Sequence, residues 1–276
     1  MPEGDTLYKI ASRLDAIARG ERVEEVETPL PALVEGGLEG QAISCVEARG
    51  KHLLIHFSDA RVLHSHLRRE GSWHIIAKGA PWPKPKHRLT LALVLKEHTL
   101  AGFSVPTLAL LKRSELLNHP HLNALGPDLL SPSPDLAEII ARLRRHPTRA
   151  IAEAIMDQRN CAGIGNVYKS ELLFLQRLHP CTALSAIDDE QLRGLLADAI
   201  KWMRRNLFAG KRRTRWGNHP SHWVYNKAGQ RCGVCDALIA RLRQGALNRS
   251  TYFCPRCQPS PKADALGKPS SLLRDY

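Results

Sequence analysis

Met1-Pro2-Glu3-Gly4-Asp5-Thr6 opens the chain. A methionine aminopeptidase is expected to remove Met1, because the next side chain is small, and Pro2 then carries a free secondary amine. Such an amine attacks an electrophilic carbon and loses a proton to give an iminium, by the covalent logic of lysine Schiff bases. An α-amino group with a pKa of about 7.7–8.0 is partly neutral near neutral pH, whereas lysine, at about 10.4, needs burial to match it. Glu3, one residue on, is a possible proton carrier. The plainer alternative is an ordinary Met-Pro opening in which Glu3 and Asp5 favour a helix start.

A second group with chemistry in it lies near the other end. Cys232-x2-Cys235 and Cys254-x2-Cys257, with 18 residues between the pairs, have the spacing of a four-cysteine tetrahedral zinc site on two knuckles. Ala237 to Arg243 and Arg249 to Phe253 read as two strands joined around Gln244-Gly245. The metal would hold a hairpin too small to have its own core. One structural zinc ion is expected, with no open position for chemistry. Cys45, Cys161 and Cys181 are scattered and read as reduced structural thiols.

The elements that must position these groups follow from periodicity. Leu7, Ile10, Leu14 and Ile17, with Ala11 and Ala18 beside them, mark an amphipathic helix beginning near Asp5 or Thr6, so the terminus is tied down and Pro2 sits near a positive helix end. From Val23 to about Leu111 short strands follow: Val23 to Glu27, Ala42 to Glu47, His52 to Phe57, Val62 to Leu67, Trp73 to Ile76, Leu89 to Leu95 and Thr99 to Val105. They imply a β-sandwich or barrel. After Pro127, Pro132 and Pro134 the pattern turns helical, over Asp135 to Arg145, Arg149 to Asp157, Val167 to Leu178 and Asp189 to Asn206. Ala77 to Lys86 reads as an exposed loop, and residues 259–276 as a disordered tail.

With 40 Lys+Arg against 27 Asp+Glu, the formal charge is +13. Such a chain is drawn to polyanions, nucleic acid first. No run approaches the 18 or so apolar residues of a spanning helix, so a membrane partner is not expected and a cytosolic location is. Lys211-Arg212-Arg213-Thr214-Arg215-Trp216 reads either as a phosphate contact or as a solvated loop. In Asp157 to Glu171, two helices flank a turn with Gly163 and Gly165, and Asn166 falls where an N-cap belongs. Backbone N–H groups at such a helix start can hold a phosphate, and Asn166 can donate to the same anion. A plain helical hairpin with a capping Asn is the alternative.

Four motifs in this order, Pro2-Glu3-Gly4 before a helix, Lys51 in Arg49-Gly50-Lys51-His52, the Gly163-Ile164-Gly165-Asn166-Val167-Tyr168 turn and the four-cysteine finger, resemble the formamidopyrimidine-DNA glycosylase and endonuclease VIII family. The resemblance covers Pro2 to Gln258 and is closer to the endonuclease VIII branch. It implies an α+β chain in parts: helix plus β-sandwich catalytic domain (1–126), helix-two-turn-helix domain (127–222) and zinc finger (223–258). Damaged duplex DNA would lie in the cleft between the halves, its lesion flipped out of the stack. The protein would act as a monomer at the nucleoid.

By the same resemblance, Pro2 attacks C1′ and expels an oxidised base, a pyrimidine in the first instance, and Glu3 moves the protons. Lys51 assists base expulsion and β-elimination, while Arg249 grips the phosphates and serves δ-elimination. Asn166 binds phosphate and His66 lines the site. Three departures stand out. Thr6 replaces a second glutamate. Arg68-Arg69-Glu70 stand where an apolar or amide wedge is usual, leaving Arg69 to stack between bases by its guanidinium plane. Ala124 takes a place where relatives can have a DNA-contacting Arg. Oxidised purines as substrate, and a DNA-binding protein without the chemistry, remain the alternatives.

Overall fold

The computed structural model describes residues 2–208 and 210–267. Met1, whose removal is expected, and residues 268–276 of the expected tail lie outside the described residues. The chain divides into two compact units at Asn123/Ala124.

In the first unit, helix α1 (Gly4–Ala18) starts one residue earlier than its periodicity predicts, because Glu3 takes the N-cap and its backbone N–H donates to Thr6 Oγ1 at 3.4 Å. Leu7, Ala11, Leu14 and Ala18, one stripe of the helix, are buried. Behind it stand two four-stranded antiparallel sheets. One has the order β1 (Glu25–Glu27), β6 (Leu89–Val94), β7 (His98–Phe103), β5 (Ser72–Ala77). The other runs β2 (Ile43–Arg49), β3 (His52–Phe57), β4 (Val62–His66), β8 (Thr107–Leu111). Leu53, Ile55 and Phe57 from one sheet and Leu91, Leu93 and Leu100 from the other share a single core with Leu7 and Leu14, which makes the sandwich. Asp15, on the face of α1 toward β2, accepts the Val46 N–H at 2.7 Å and fixes the helix along that strand.

β8 was not anticipated: after Pro106 its Thr-Leu-Ala-Leu-Leu run has no alternation, yet it completes the sheet by pairing with β4. Short helices α2 (Pro31–Val34), α3 (Arg113–Leu117) and α4 (Pro120–Asn123) were likewise too brief to carry a period.

The second unit holds α5 (Leu136–Arg144), α6 (Ile151–Ala154), α7 (Asn166–Leu175) and α8 (Asp189–Leu207), followed by a hairpin of β9 (Ala240–Gln244) and β10 (Arg249–Phe253). The helix expected over Arg149 to Asp157 shrinks to one turn, because Arg149 and Asp157 leave the helix to form a buried ion pair at 3.0 Å that Arg159 joins at 2.7 Å. Asn166 is not the cap of α7. Gly165 is, and Asn166 begins the helix with its side chain committed elsewhere. The segment expected to be disordered from 259 is docked as far as 267. Leu266 bridges Thr182, and the Gly267 N–H donates to the Cys181 carbonyl at 2.7 Å. Only glycine fits at 267, since a Cβ there would meet Ala150 Cα at 2.5 Å.

Candidate active site

Each unit brings part of the expected machinery together. In the first, Pro2 leads directly into α1 and Glu3 is fully buried at its N-cap, with Asp5 fully buried beside it. Thr6 Oγ1 donates to Asp5 Oδ1 at 3.2 Å while receiving the Glu3 N–H. The residue that departs from the family pattern therefore completes the helix start. Lys51 lies in the turn between β2 and β3, where Gly50 takes φ 60°, a left-handed angle that favours glycine.

His66, at the end of β4, shares its surroundings with Lys51 and Arg68. Burial first, then the charges of Arg68 and Lys51, push its imidazole down to about 4. Its Nδ1 accepts the Arg68 N–H at 3.3 Å. Arg68 has φ 47°, and Arg68, Arg69 and Glu70 project as an exposed turn closed by the Gly71 N–H on the Leu67 carbonyl at 2.9 Å.

Sequence reading missed what surrounds His66. His52, opposite it in register, lies 4.8 Å away between ring centroids. His52 Nδ1 and His64 Nε2 share a hydrogen bond of 2.8 Å, and His119 packs edge-on to His64 at 5.0 Å. Desolvation, followed by the neighbouring imidazoles, takes His52 down to about 2 and His64 to about 4. The signal was present: His64 and His66 alternate onto one strand face, and His52 follows Lys51 onto the strand that pairs with it.

The second unit gathers Asn166 and Arg249. Asn166 Nδ2 donates to the Ser250 carbonyl at 2.9 Å, one residue from Arg249 at the start of β10. Lys169 Nζ donates to Asn166 Oδ1 at 2.7 Å. Glu171, fully buried, accepts the backbone N–H groups of Trp223 (2.7 Å), Val224 (2.8 Å) and Tyr225 (2.7 Å), and the Thr214 hydroxyl. Part of the basic run packs on aromatic rings rather than standing in a solvated loop. Arg212 lies over the Tyr168 ring at 5.2 Å and Arg215 over Trp223 at 4.4 Å, while Arg205 of α8 covers Trp216 at 4.0 Å.

The sulfurs of Cys232, Cys235, Cys254 and Cys257 all lie within 4.8 Å of one another. Cys232–Cys257 and Cys235–Cys254 are separated by 3.9 Å and 3.4 Å. Ligands about 2.3 Å from a tetrahedral zinc stand roughly 3.8 Å apart, so this set fits one structural ion with all four positions filled.

Comparison with known proteins assigns the chain. The formamidopyrimidine-DNA glycosylase N-terminal domain matches residues 1–104, the H2TH domain of the same enzyme residues 125–216, and the zinc finger found in FPG and IleRS residues 229–259. The chain belongs to the formamidopyrimidine-DNA glycosylase family. Within it, the chain is 36% identical over 264 residues to a probable endonuclease 8 2 of Streptomyces coelicolor, covering 95% of each. It is 34% identical to a DNA-(apurinic or apyrimidinic site) lyase Nei2 of Mycolicibacterium smegmatis, covering 94% of this chain and 99% of that one. A crystal structure of a mutant Lactococcus lactis FPG in complex with Fapy-dG-containing DNA superposes with a TM-score of 0.79 at 25% identity, over 94% of this chain and all of that one. Membership makes the chain a DNA glycosylase with abasic-site lyase activity, carrying a zinc finger. Among the described residues, no helix is long and apolar enough to cross a membrane.

Proposed function

We propose that the protein excises oxidised bases, pyrimidines first, from duplex DNA and then cuts the strand by β,δ-elimination, with Pro2 as nucleophile. The observation that carries this reading is the start of α1, where Pro2 immediately precedes a fully buried Glu3 at a helix N-terminus. The helix end disfavours a protonated amine. Glu3 is the carboxyl group adjacent in the chain to Pro2, and it supplies the proton carrier that the reaction needs. That the Streptomyces relative is named a probable endonuclease 8 supports placing the chain nearer the endonuclease VIII branch, from which the pyrimidine reading follows.

In the proposed sequence the Pro2 nitrogen forms a bond to C1′ while the C1′–base bond breaks and Glu3 protonates the departing base; Glu3 then takes up the Pro2 N–H proton and passes it to O4′ as the C1′–O4′ bond breaks, which leaves an iminium between Pro2 and the opened sugar. Removal of the C2′ proton, assisted by Lys51, expels the 3′ phosphate. A further proton loss expels the 5′ phosphate while Arg249 holds the negative charge. Water then hydrolyses the iminium and returns the amine. Asn166 holds a phosphate near the lesion, Arg69 enters the stack, Arg68 contacts the DNA beside it, and His66 lines the site. Residues 1–126 carry the chemistry, and residues 127–222 and the finger at 223–258 the grip. The enzyme acts as a monomer at the nucleoid.

Borohydride trapping with a panel of single-lesion duplexes tests the reading. The intact protein should form a covalent adduct on an abasic site, and on oxidised pyrimidines faster than on oxidised purines. Pro2→Gly should lose base excision while keeping duplex affinity. Absence of the adduct at single turnover, with Met1 shown to be removed, would falsify the nucleophile. An FPG structure bound to Fapy-dG DNA favours the second reading, an oxidised-purine preference, and the same panel decides between them.

A further inference from the structure

Lys169 is a lysine out of contact with water, only 1% exposed, one turn into α7. An ammonium in such a place is costly unless it is hydrogen-bonded, so its partners say what it is for. Its Nζ donates to Asn166 Oδ1 at 2.7 Å and to the Ser250 carbonyl at 3.4 Å. Asn166 Nδ2 donates to that same carbonyl at 2.9 Å. A primary amide has an accepting end and a donating end of almost the same shape. A cation beside it admits only one of the two orientations, with the oxygen toward the ammonium. The second N–H of Nδ2 is then left available to an acceptor outside the triangle.

We propose that Lys169 is a positioning residue for DNA binding: its buried ammonium fixes the Asn166 amide so that Asn166 presents N–H rather than C=O to a phosphate, and ties the start of α7 to the strand residue that follows Arg249. The proposal rests on the reading of Asn166 as a phosphate ligand. Without the cation, the amide can turn its oxygen outward, toward an anion that repels it. Lys169 itself stays away from the phosphate.

The test uses the full-length, zinc-loaded protein and two independent readouts. The first needs no DNA. The side-chain amide resonances of Asn166, assigned by their loss in Asn166→Ala, should shift in Lys169→Met, and unmoved resonances overturn the proposal. The second is affinity for a duplex carrying a tetrahydrofuran abasic analogue. Lys169→Met should weaken it by roughly fivefold to tenfold, but by less than about twofold when added to Asn166→Ala, because the two residues act as one. Equal losses in both backgrounds, or a salt slope reduced by about 0.9, would make Lys169 an independent phosphate contact and overturn the proposal. If Asn166→Ala alone leaves affinity unchanged, the phosphate role of Asn166 fails, and the resonances alone decide what Lys169 does. Should Lys169→Met fail to fold, Asn166→Asp supplies the test from the other side. Its carboxylate still accepts from Lys169 but has no N–H to offer, so the protein should be at least as stable as Asn166→Ala and bind DNA more weakly; the reverse order of stability overturns the proposal.

Discussion

Arg249 begins the strand whose next carbonyl receives Asn166, and its two proposed roles separate experimentally. As a phosphate grip, Arg249→Ala should reduce the magnitude of the salt slope by one contact, about 0.9 for duplex DNA. As the group serving the second elimination, its loss should leave β-product accumulating at saturating enzyme, since Pro2 and Lys51 remain to perform the earlier step. Product ratios resolved on a sequencing gel, together with binding measured across salt, check both. A wild-type ratio with an unchanged slope would remove Arg249 from both roles and turn attention to Arg256 or the basic run from Lys211. Single residues were legible in the sequence where their spacing is unusual, as with the four paired cysteines that the structure brings together. Lys169 and Glu171 were not singled out: a charged residue inside a helix normally faces water, and only the packed structure shows these two facing inward.

Among the elements, the strand pair β3–β4 behaves distinctively toward acid because it buries imidazoles held below their ordinary value of about 6.5. The folded state therefore binds fewer protons than the unfolded chain. The stability that these histidines contribute is complete above about pH 6.5 and is lost as pH falls, down to about 4 for His64 and His66 and further for His52. Each can remove up to about 1.4 kcal/mol per pH unit within its window. Denaturant unfolding of the protein between pH 7 and 4.5 should show this decline, and His64→Gln should flatten it; a slope that the variant leaves unchanged assigns the acid sensitivity elsewhere. The finger hairpin depends instead on metal. Cys254→Ser should release zinc and lower DNA affinity, because so small an element folds largely on its ion. Chelation that removes zinc yet leaves binding and nicking intact would refute that role. Long periodic elements, α1 and α8, were readable because many residues repeat the same signal. α2, α3, α4 and β8 were not, because four or five residues hold too little of any period, and the neighbours they pair with decide their form.

For the molecule as a whole, a formal charge of +13 predicts binding to any duplex, lesion or none, that weakens steeply with salt. Affinity for undamaged DNA should fall by roughly a hundredfold or more between about 50 and 200 mM salt, as read by fluorescence anisotropy. A flat response would mean that few of the cations reach phosphates. Cohesion inside the second unit obeys a different rule. The segment leading into the finger hangs from the Glu171 carboxylate, which takes three consecutive backbone N–H groups and a hydroxyl out of reach of water. Dissolved ions screen exposed charges and scarcely touch enclosed ones. A salt wash that strips the enzyme from DNA should therefore leave this suspension taut, and the protein released should rebind on dilution without having to refold.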